Sequence, residues 1–343
     1  MRTEDFDFDL PQKFIAQDPV VPRDSSKMFA FDTSAETVKH LNFRDLGSLL
    51  GQNDCLLLNS SKVIPARILF TFEGKELEIF LLNKLGAFEY RCLVRPGKLF
   101  GIDRKFSLSS NVGCVVLEVY GDGTRRILFD STFDLSSFGD TPLPPYIKNS
   151  SASTEQYQTV YSDNEGSVAA PTAGLHFTDR LLADLSDSGV QIERATLHVG
   201  RGTFLPVSAD RLEDHKMHAE SYSLNNETAA SLNLARLKGK RFIAVGTTGV
   251  RILESTFDAL TNSFVPADSS TELFIYPGAY NWKTVDALIT NFHLPKSTLI
   301  MLVASFLESK GVSDGRSKIL ELYEMAKSEN YRFYSFGDSM FIY

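Results

Sequence analysis

The chain has 343 residues, 43% of them hydrophobic and 23% charged, with a formal net charge of −8. That length suits two domains or one domain with an insertion, with enough apolar residues for a full core. The negative balance argues against broad, non-specific nucleic-acid binding, which needs phosphate-neutralising cations, and the longest apolar run, near 299–307, is too short to span a bilayer. The three cysteines, Cys55, Cys92 and Cys114, lie far apart inside apolar strand-like runs. They read as buried thiols in a reducing compartment, rather than a disulfide framework or a metal clip. The opening MRTEDFDFDLPQ is acidic and lacks an apolar signal-peptide core, so a cytoplasmic location is expected.

In chain order, DFDFDLP alternates Asp with Phe and suits an edge strand or an extended arm. CLLLNSS reads as an apolar strand ending in a polar turn, followed by VIPARI. From Ala66 to Asp130 almost nothing has helical period. ILFTFEGKELEIFLL predicts two strands joined by a turn at Gly74, and FEYRCLV, KFSL, CVVLEVY and RRILFD follow as strands, with RPGK and GDGT as turns. Many short strands with Gly turns predict a small barrel or sandwich. This block carries 10 Lys+Arg against 8 Asp+Glu, while the rest of the chain carries 25 against 35. It is therefore less acidic than its surroundings, a balance that ordinary solvated strand faces also produce. Pro142, Pro144 and Pro145 in TPLPPYIK make a stiff, extended connector.

After Ser150 the pattern alternates. TDRLLADLSDSG predicts an amphipathic helix with a Thr178 cap and a Gly189 stop. VQIERATLHV is a strand, NETAASLNLARLKG a helix, RFIAVG a strand, and TTGVRILEST a helix that begins directly after it. ELFIYPG and VDALITNFH read as strands, PKSTLIMLVASFLESKG and SDGRSKILELYEMAKSEN as helices, and YRFYSFGDSMFIY as a closing strand. The fold class is α/β: a large α/β domain (1–65 plus 149–343) with an inserted small β-barrel domain (66–148).

Candidate chemistry concentrates in short islands rich in Gly, Pro and Thr. Five of the six histidines, His176, His198, His215, His218 and His293, fall in AAPTAGLHF, LHVGRGTF, EDHKMHAE and TNFHLPKST; only His40 lies outside. Imidazoles in turn-rich segments between apolar runs point to one site built from loops. AVGTTGVR puts Thr247 and Thr248 at a helix N-terminus, where free N–H groups can hold a carboxylate or phosphate, with Arg251 in the first turn. The spacing is neither that of a P-loop nor G-x-G-x-x-G. TNFHLPKST repeats the logic with Asn291, His293 and Lys296, and Pro295 suits the first turn of its helix. In open α/β sheets both passages would face the carboxyl edge of the strands. Thr172 and Gly174 belong to the first island, where Gly174 would let backbone approach a ligand closely, and Arg201 sits between two glycines. His215 and His218 are too poorly spaced from any third ligand to argue for a metal, and Glu220 could tune or orient them.

RTEDFDFDLP, KVIPAR, LVRPGK, LPPYIK, YQTVY, AAPTAGLHFT, TLHVGRGTF, EDHKMHAE, AVGTT, DALITNFHLPKST and YRFYSFGD occur in this order from Arg2 to the C-terminus. Together they resemble the S-adenosylmethionine:tRNA ribosyltransferase-isomerases of queuosine biosynthesis. The resemblance implies transfer and isomerisation of the ribosyl part of S-adenosylmethionine onto 7-aminomethyl-7-deazaguanine at the tRNA wobble position. Epoxyqueuosine would form, and adenine and methionine would leave. It implies an α/β domain with an inserted β-barrel, no cofactor beyond the consumed S-adenosylmethionine, no metal, no membrane, and action as a monomer. Catalysis is expected from His176, His198, His215, His218, Glu220 and His293. Substrate binding is expected from Thr172, Gly174, Arg201, Thr247, Thr248, Arg251, Asn291 and Lys296. The chain departs from the family pattern at Ser60 and Lys62, where Asp and Arg are usual, and at Arg201 and Gly249, where an apolar residue and a serine are usual. Two other readings compete. A His-based metal hydrolase would rest on His215 and His218 alone. A non-catalytic RNA-binding module would leave the histidine islands unexplained.

Overall fold

The computed structural model describes residues 1–200, 207 and 209–343, and Arg201 lies outside them. The chain divides into two compact units, Met1–Ser61 with Pro145–Asn164 and Ala170–Tyr343, and Lys62–Pro144 with Glu165–Ala169. In chain order β1 (Lys27–Asp32), β2 (Thr37–Asn42) and β3 (Asp54–Asn59) come first, and β4 (Ser61–Val63) follows. Next are β5 (Arg67–Phe72), β6 (Lys75–Lys84), β7 (Glu89–Arg95), β8 (Lys105–Ser107), β9 (Gly113–Val119) and β10 (Arg125–Phe129). The one-turn helix α1 (Leu135–Phe138) leads to β11 (Gly139–Asp140), and β12 (Asn164–Ser167) pairs with β4.

Strands β5 to β11 form a curled, antiparallel, seven-strand sheet in the order β11-β5-β6-β7-β10-β9-β8. Period-two alternation builds its core: Leu77, Ile79 and Leu81 of β6 are buried while their neighbours face outward. They pack with Ile68, Cys92, Phe106, Val116 and Ile127. The β5–β6 turn needs Gly74, which sits at φ 75° where a side chain would be strained.

The other unit continues with α2 (Asp179–Asp187), β13 (Gln191–Leu197), β14 (Glu220–Leu224), α3 (Asn226–Leu237), β15 (Arg241–Val245) and α4 (Gly246–Thr256). A small ribbon of β16 (Phe257–Asp258) and β17 (Ser263–Phe264) precedes β18 (Ala267–Thr271) and β19 (Ala287–Asn291). The chain ends with α5 (Thr298–Ser309), α6 (Gly315–Ser328) and β20 (Ser339–Ile342). Nine strands form one sheet, β18-β14-β13-β3-β15-β19-β20-β1-β2. Its centre is parallel, since β3 runs parallel to both β13 and β15, and β15 runs parallel to β19. Every residue of β3 is buried, which explains the unbroken apolar run CLLL: a central parallel strand is covered on both faces. The side chain of Thr178 caps α2 by accepting from Leu181 N at 3.1 Å, and the helix sends Leu181 and Leu185 into a core with Phe43, Leu56 and Ile243.

Four local expectations are corrected. Of the two readings of DFDFDLP the edge strand is corrected: Thr3–Phe6 is a 3-10 turn, closed by the Asp5 carboxylate accepting from Arg2 N at 2.8 Å, Phe6 is buried, and residues 7–11 form no strand. ELFIYPG is not a strand either. The preceding ADSST pairs with β14, and Leu273, Phe274 and Ile275 turn inward to line a cavity. The α5 cap is Ser297, so Pro295 belongs to the turn before the helix. Of the closing segment only Ser339–Ile342 is strand. Strands β1 and β2 supply the far edge of the sheet, and β14, which starts at Glu220, the last residue of the EDHKMHAE island, continues its other side.

Candidate functional site

The sheet winds in two directions from β3, to β13 on one side and to β15 and β19 on the other. Ligand crevices in α/β sheets open where the winding reverses, beyond the carboxyl ends of the strands. A cavity lies there. Thr247 and Thr248 after β15, Thr290 to Leu294 at the end of β19, Ala170 to Ala173, Val199 after β13, Tyr146, Tyr334 and Ser335 line it. A second cavity shares Thr247, Thr248 and Leu299 with the first and is lined by Met217, Glu220, Arg251, Phe274 and Leu302.

Local chemistry shapes each wall. Gly246 takes φ 77°, which lets β15 turn straight into α4. The N-cap, Val245, offers no side-chain cap, and the first N–H groups of α4 have no side-chain acceptor among the described residues. Thr248 Oγ1 is buried with no hydrogen-bond partner among the described residues. An uncapped helix start beside an orphaned hydroxyl fits a small anionic group such as a carboxylate. Tyr146 and Tyr334 line the same cavity, with ring centroids 4.6 Å apart; the Tyr146 hydroxyl bonds Ser335 Oγ at 2.7 Å. Tyr146 lies in LPPYIK, whose prolines read as a connector, and Tyr334 in YRFYSFGD, which reads as a closing strand; neither reading marks an aromatic face.

The expected site residues divide. Thr172, Thr247, Thr248, Asn291 and His293 line the first cavity, and Glu220 and Arg251 line the second. His176 lies behind Asn291, with Nε2 3.2 Å from Asn291 Nδ2, Nδ1 2.7 Å from Ser26 Oγ, and its ring stacked on Phe43. Gly174 has a packing role: a Cβ there would fall 2.0 Å from Tyr161 Oη and 2.9 Å from Thr159 Cγ2, so protein rather than ligand fills the space. Lys296 is held by Glu4 at 3.0 Å and Asp7 at 2.9 Å and does not line the cavity. His215 is half-buried and meets Phe274 edge-on at 5.1 Å, which puts it beside the second cavity, whereas His218 is exposed. His198 lies off both cavities, and its Nδ1 has no partner among the described residues. The two cavities lined by described residues therefore do not bring the five imidazoles together. Loop composition singles out segments but says nothing of which way each ring points.

Electrostatics further restrict roles. Burial pushes His176 and His293 down to about 3, so both are neutral near pH 7. Burial also lowers His198, opposed by the Asp268 carboxylate, and lowers His215, aided by the charge of His218. Arg251 is already committed: its Nη1 pairs with the Glu220 carboxylate and its Nη2 donates to Thr271 O at 2.8 Å. Glu220 also accepts from Gly200 N at 2.9 Å. Ser60 is buried and bonded to Ala195 O, Thr196 and Asn164, while Lys62 pairs with Glu165. Neither lines a cavity described above. Among the described residues no group of three or more His, Cys, Asp or Glu could hold a metal ion.

The depressed histidines make a pH prediction. As pH falls below 6.5 the unfolded chain takes up protons that the folded chain refuses until about pH 3. Stability is therefore full above 6.5 and declines through that window, by up to about 1.4 kcal/mol per pH unit for each histidine. The melting temperature is expected to change little between pH 8 and 7 and to drop between 6.5 and 5. A rise across the lower window would contradict the burial of both rings.

The comparisons with known proteins agree along the chain. A family model described as "Queuosine biosynthesis protein" matches residues 3–342. The S-adenosylmethionine:tRNA ribosyltransferase-isomerase of Acetivibrio thermocellus is 45% identical over 350 residues, covering 100% of both chains. That of Carboxydothermus hydrogenoformans is 43% identical over 347 residues, again covering 100% of both. Among solved structures, the S-adenosylmethionine tRNA ribosyltransferase of Thermotoga maritima is 35% identical, with a TM-score of 0.56 over 99% of this chain and 100% of that one. With the motifs in order and full-length relatives on both measures, the chain belongs to the queuosine biosynthesis protein family.

Proposed function

We infer that this chain is an S-adenosylmethionine:tRNA ribosyltransferase-isomerase, a pentosyl-type transferase of tRNA modification. It moves the ribosyl moiety of S-adenosylmethionine onto 7-aminomethyl-7-deazaguanine at the wobble position, giving epoxyqueuosine-tRNA and releasing adenine and methionine. The observation that carries the reading is full-length identity of 43–45% to enzymes bearing that name. The cavity beyond β15 and β19 supports a place for the donor. The uncapped start of α4 and the Thr248 hydroxyl suit the methionine carboxylate, and the Tyr146 and Tyr334 rings suit a purine face.

The sulfonium acidifies the neighbouring C5′ protons, and the nucleophile is the aminomethyl nitrogen of the tRNA base. The protein therefore needs no covalent nucleophile of its own. Of the expected histidines, His293 alone lines the first cavity. Its Nε2 lies 2.8 Å from Thr290 Oγ1, and its Nδ1 makes no hydrogen bond among the described residues. His293 then touches the substrate as a neutral acceptor. It is not the acid that protonates departing adenine, because burial keeps the ring uncharged. This reading places the protein in the cytoplasm with its tRNA, as a monomer. No described helix is long and apolar enough to cross a membrane.

The test is incubation with S-adenosylmethionine and tRNA carrying 7-aminomethyl-7-deazaguanine, followed by mass spectrometry of the wobble nucleoside. Epoxyqueuosine is expected, and its yield should survive exhaustive chelation. Loss of activity with EDTA and recovery with zinc would favour metal-dependent chemistry instead.

A further inference from the structure

His176 lies off the cavity, yet both of its ring nitrogens are engaged. The carbonyl of Tyr334 decides the arrangement, because a carbonyl can only accept. It lies 3.2 Å from Asn291 Nδ2, so the amide must present its NH2 group on that side. The second Nδ2 hydrogen points to His176 Nε2, also at 3.2 Å. Nε2 therefore accepts, the ring proton sits on Nδ1, and Nδ1 donates to Ser26 Oγ at 2.7 Å. On the other side Asn291 Oδ1 accepts from Thr172 Oγ1 at 3.2 Å and keeps a second lone pair. A flipped amide would set Oδ1 against the Tyr334 carbonyl oxygen, acceptor against acceptor. The stack of His176 on Phe43, at 5.0 Å, fixes the ring plane that makes this so.

We propose that His176 is a positioning residue: it holds Asn291 so that the cavity floor offers a hydrogen-bond acceptor, which reads an N–H donor on S-adenosylmethionine. Two groups of that substrate share the chemistry, the 6-amino group of adenine and the α-ammonium of methionine. The inference rests on the donor occupying this cavity.

The test is equilibrium binding of S-adenosylmethionine and two analogues. One is S-inosylmethionine, with oxygen in place of the 6-amino group. The other carries a keto group in place of the α-ammonium. Wild-type protein is expected to bind S-adenosylmethionine about tenfold more tightly than one of the two analogues, and that analogue identifies the group read. His176→Ala should shrink this ratio to about twofold or less, because the Asn291 NH2 group then keeps only the Tyr334 carbonyl and its Oδ1 is held less firmly. His176→Gln, which can place an amide oxygen near the Nε2 position, should keep the ratio within about threefold of wild type. A merely structural histidine would lower the melting temperature and weaken all three ligands together, leaving the ratio unchanged. Should His176→Ala fail to fold, Ser26→Ala, which releases Nδ1 and lets the tautomer shift, should shrink the ratio in the same direction. An unchanged ratio in the Ala variants, a Gln variant that behaves like Ala, or no discrimination by wild type overturns the inference. Wild type that binds no S-adenosylmethionine at all overturns the donor assignment itself and this inference with it.

Discussion

Glu220→Ala is expected to cost about 3–5 kcal/mol of stability. Glu220 and Arg251 are both buried, with side chains 4% and 6% exposed, and the guanidinium Nη1 pairs directly with the carboxylate. Removing the carboxylate strands a cation between β14 and α4. Arg251 Nε already lacks a partner among the described residues, which leaves the charge little else to bind. The loss should exceed that from any exposed pair. Lys296 with Glu4, for example, is solvent-screened, and breaking it should cost far less. The double variant Glu220→Leu with Arg251→Met should recover part of the loss, because it leaves no buried charge, although Gly200 N and Thr271 O lose these partners. Chemical denaturation of the three variants is the measurement. A Glu220→Ala protein within about 1 kcal/mol of wild type would mean that Arg251 is not held as a desolvated ion.

His293→Ala should lower kcat/KM by roughly one to two orders of magnitude, the loss of one hydrogen bond to a charged substrate. The ring lines the cavity, and its side-chain bond to Thr290 Oγ1 is a local one. His40→Ala is the control: His40 bonds the Tyr331 hydroxyl at 2.9 Å on the outer strand β2, and the change should move the rate by less than about threefold. Because burial holds His293 at about 3, the rate profile should show no limb from this residue between pH 5 and 8. A limb near pH 6 that disappears in His293→Ala would show that the ring titrates in the working enzyme. The neutral-acceptor role would then be wrong.

Much of this architecture was legible in the residues. The unbroken CLLL run, the Thr178 and Gly189 signals around α2 and the alternation along β6 each have one dominant physical cause. That cause acts locally, as burial on two faces, capping or period two. What was not legible depended on partners distant in sequence. ADSST is a poor strand former, yet β14 supplies its ladder, while the more apolar ELFIYPG is drawn into a cavity wall. The islands located the carboxyl edge of the sheet, and through it Thr172, Thr247, Thr248, Asn291 and His293. They could not show that Lys296 would be taken by Glu4 and Asp7, nor that Arg251 would be paired with Glu220. Gly174 reads in sequence as room for a ligand, whereas the hydroxyl of Tyr161 occupies that room. Ser26, from a segment with no motif, completes the buried histidine chain.

Amide hydrogen exchange with and without S-adenosylmethionine tests the location of the donor most directly. Slower exchange is expected at Thr172 and Ala173, at Gly246 to Thr248, and at Asn291 to His293, with the uncapped amides of α4 most protected. Binding that leaves these amides unchanged and protects a different part of the chain would contradict the placement of the site at the carboxyl edge of β15 and β19.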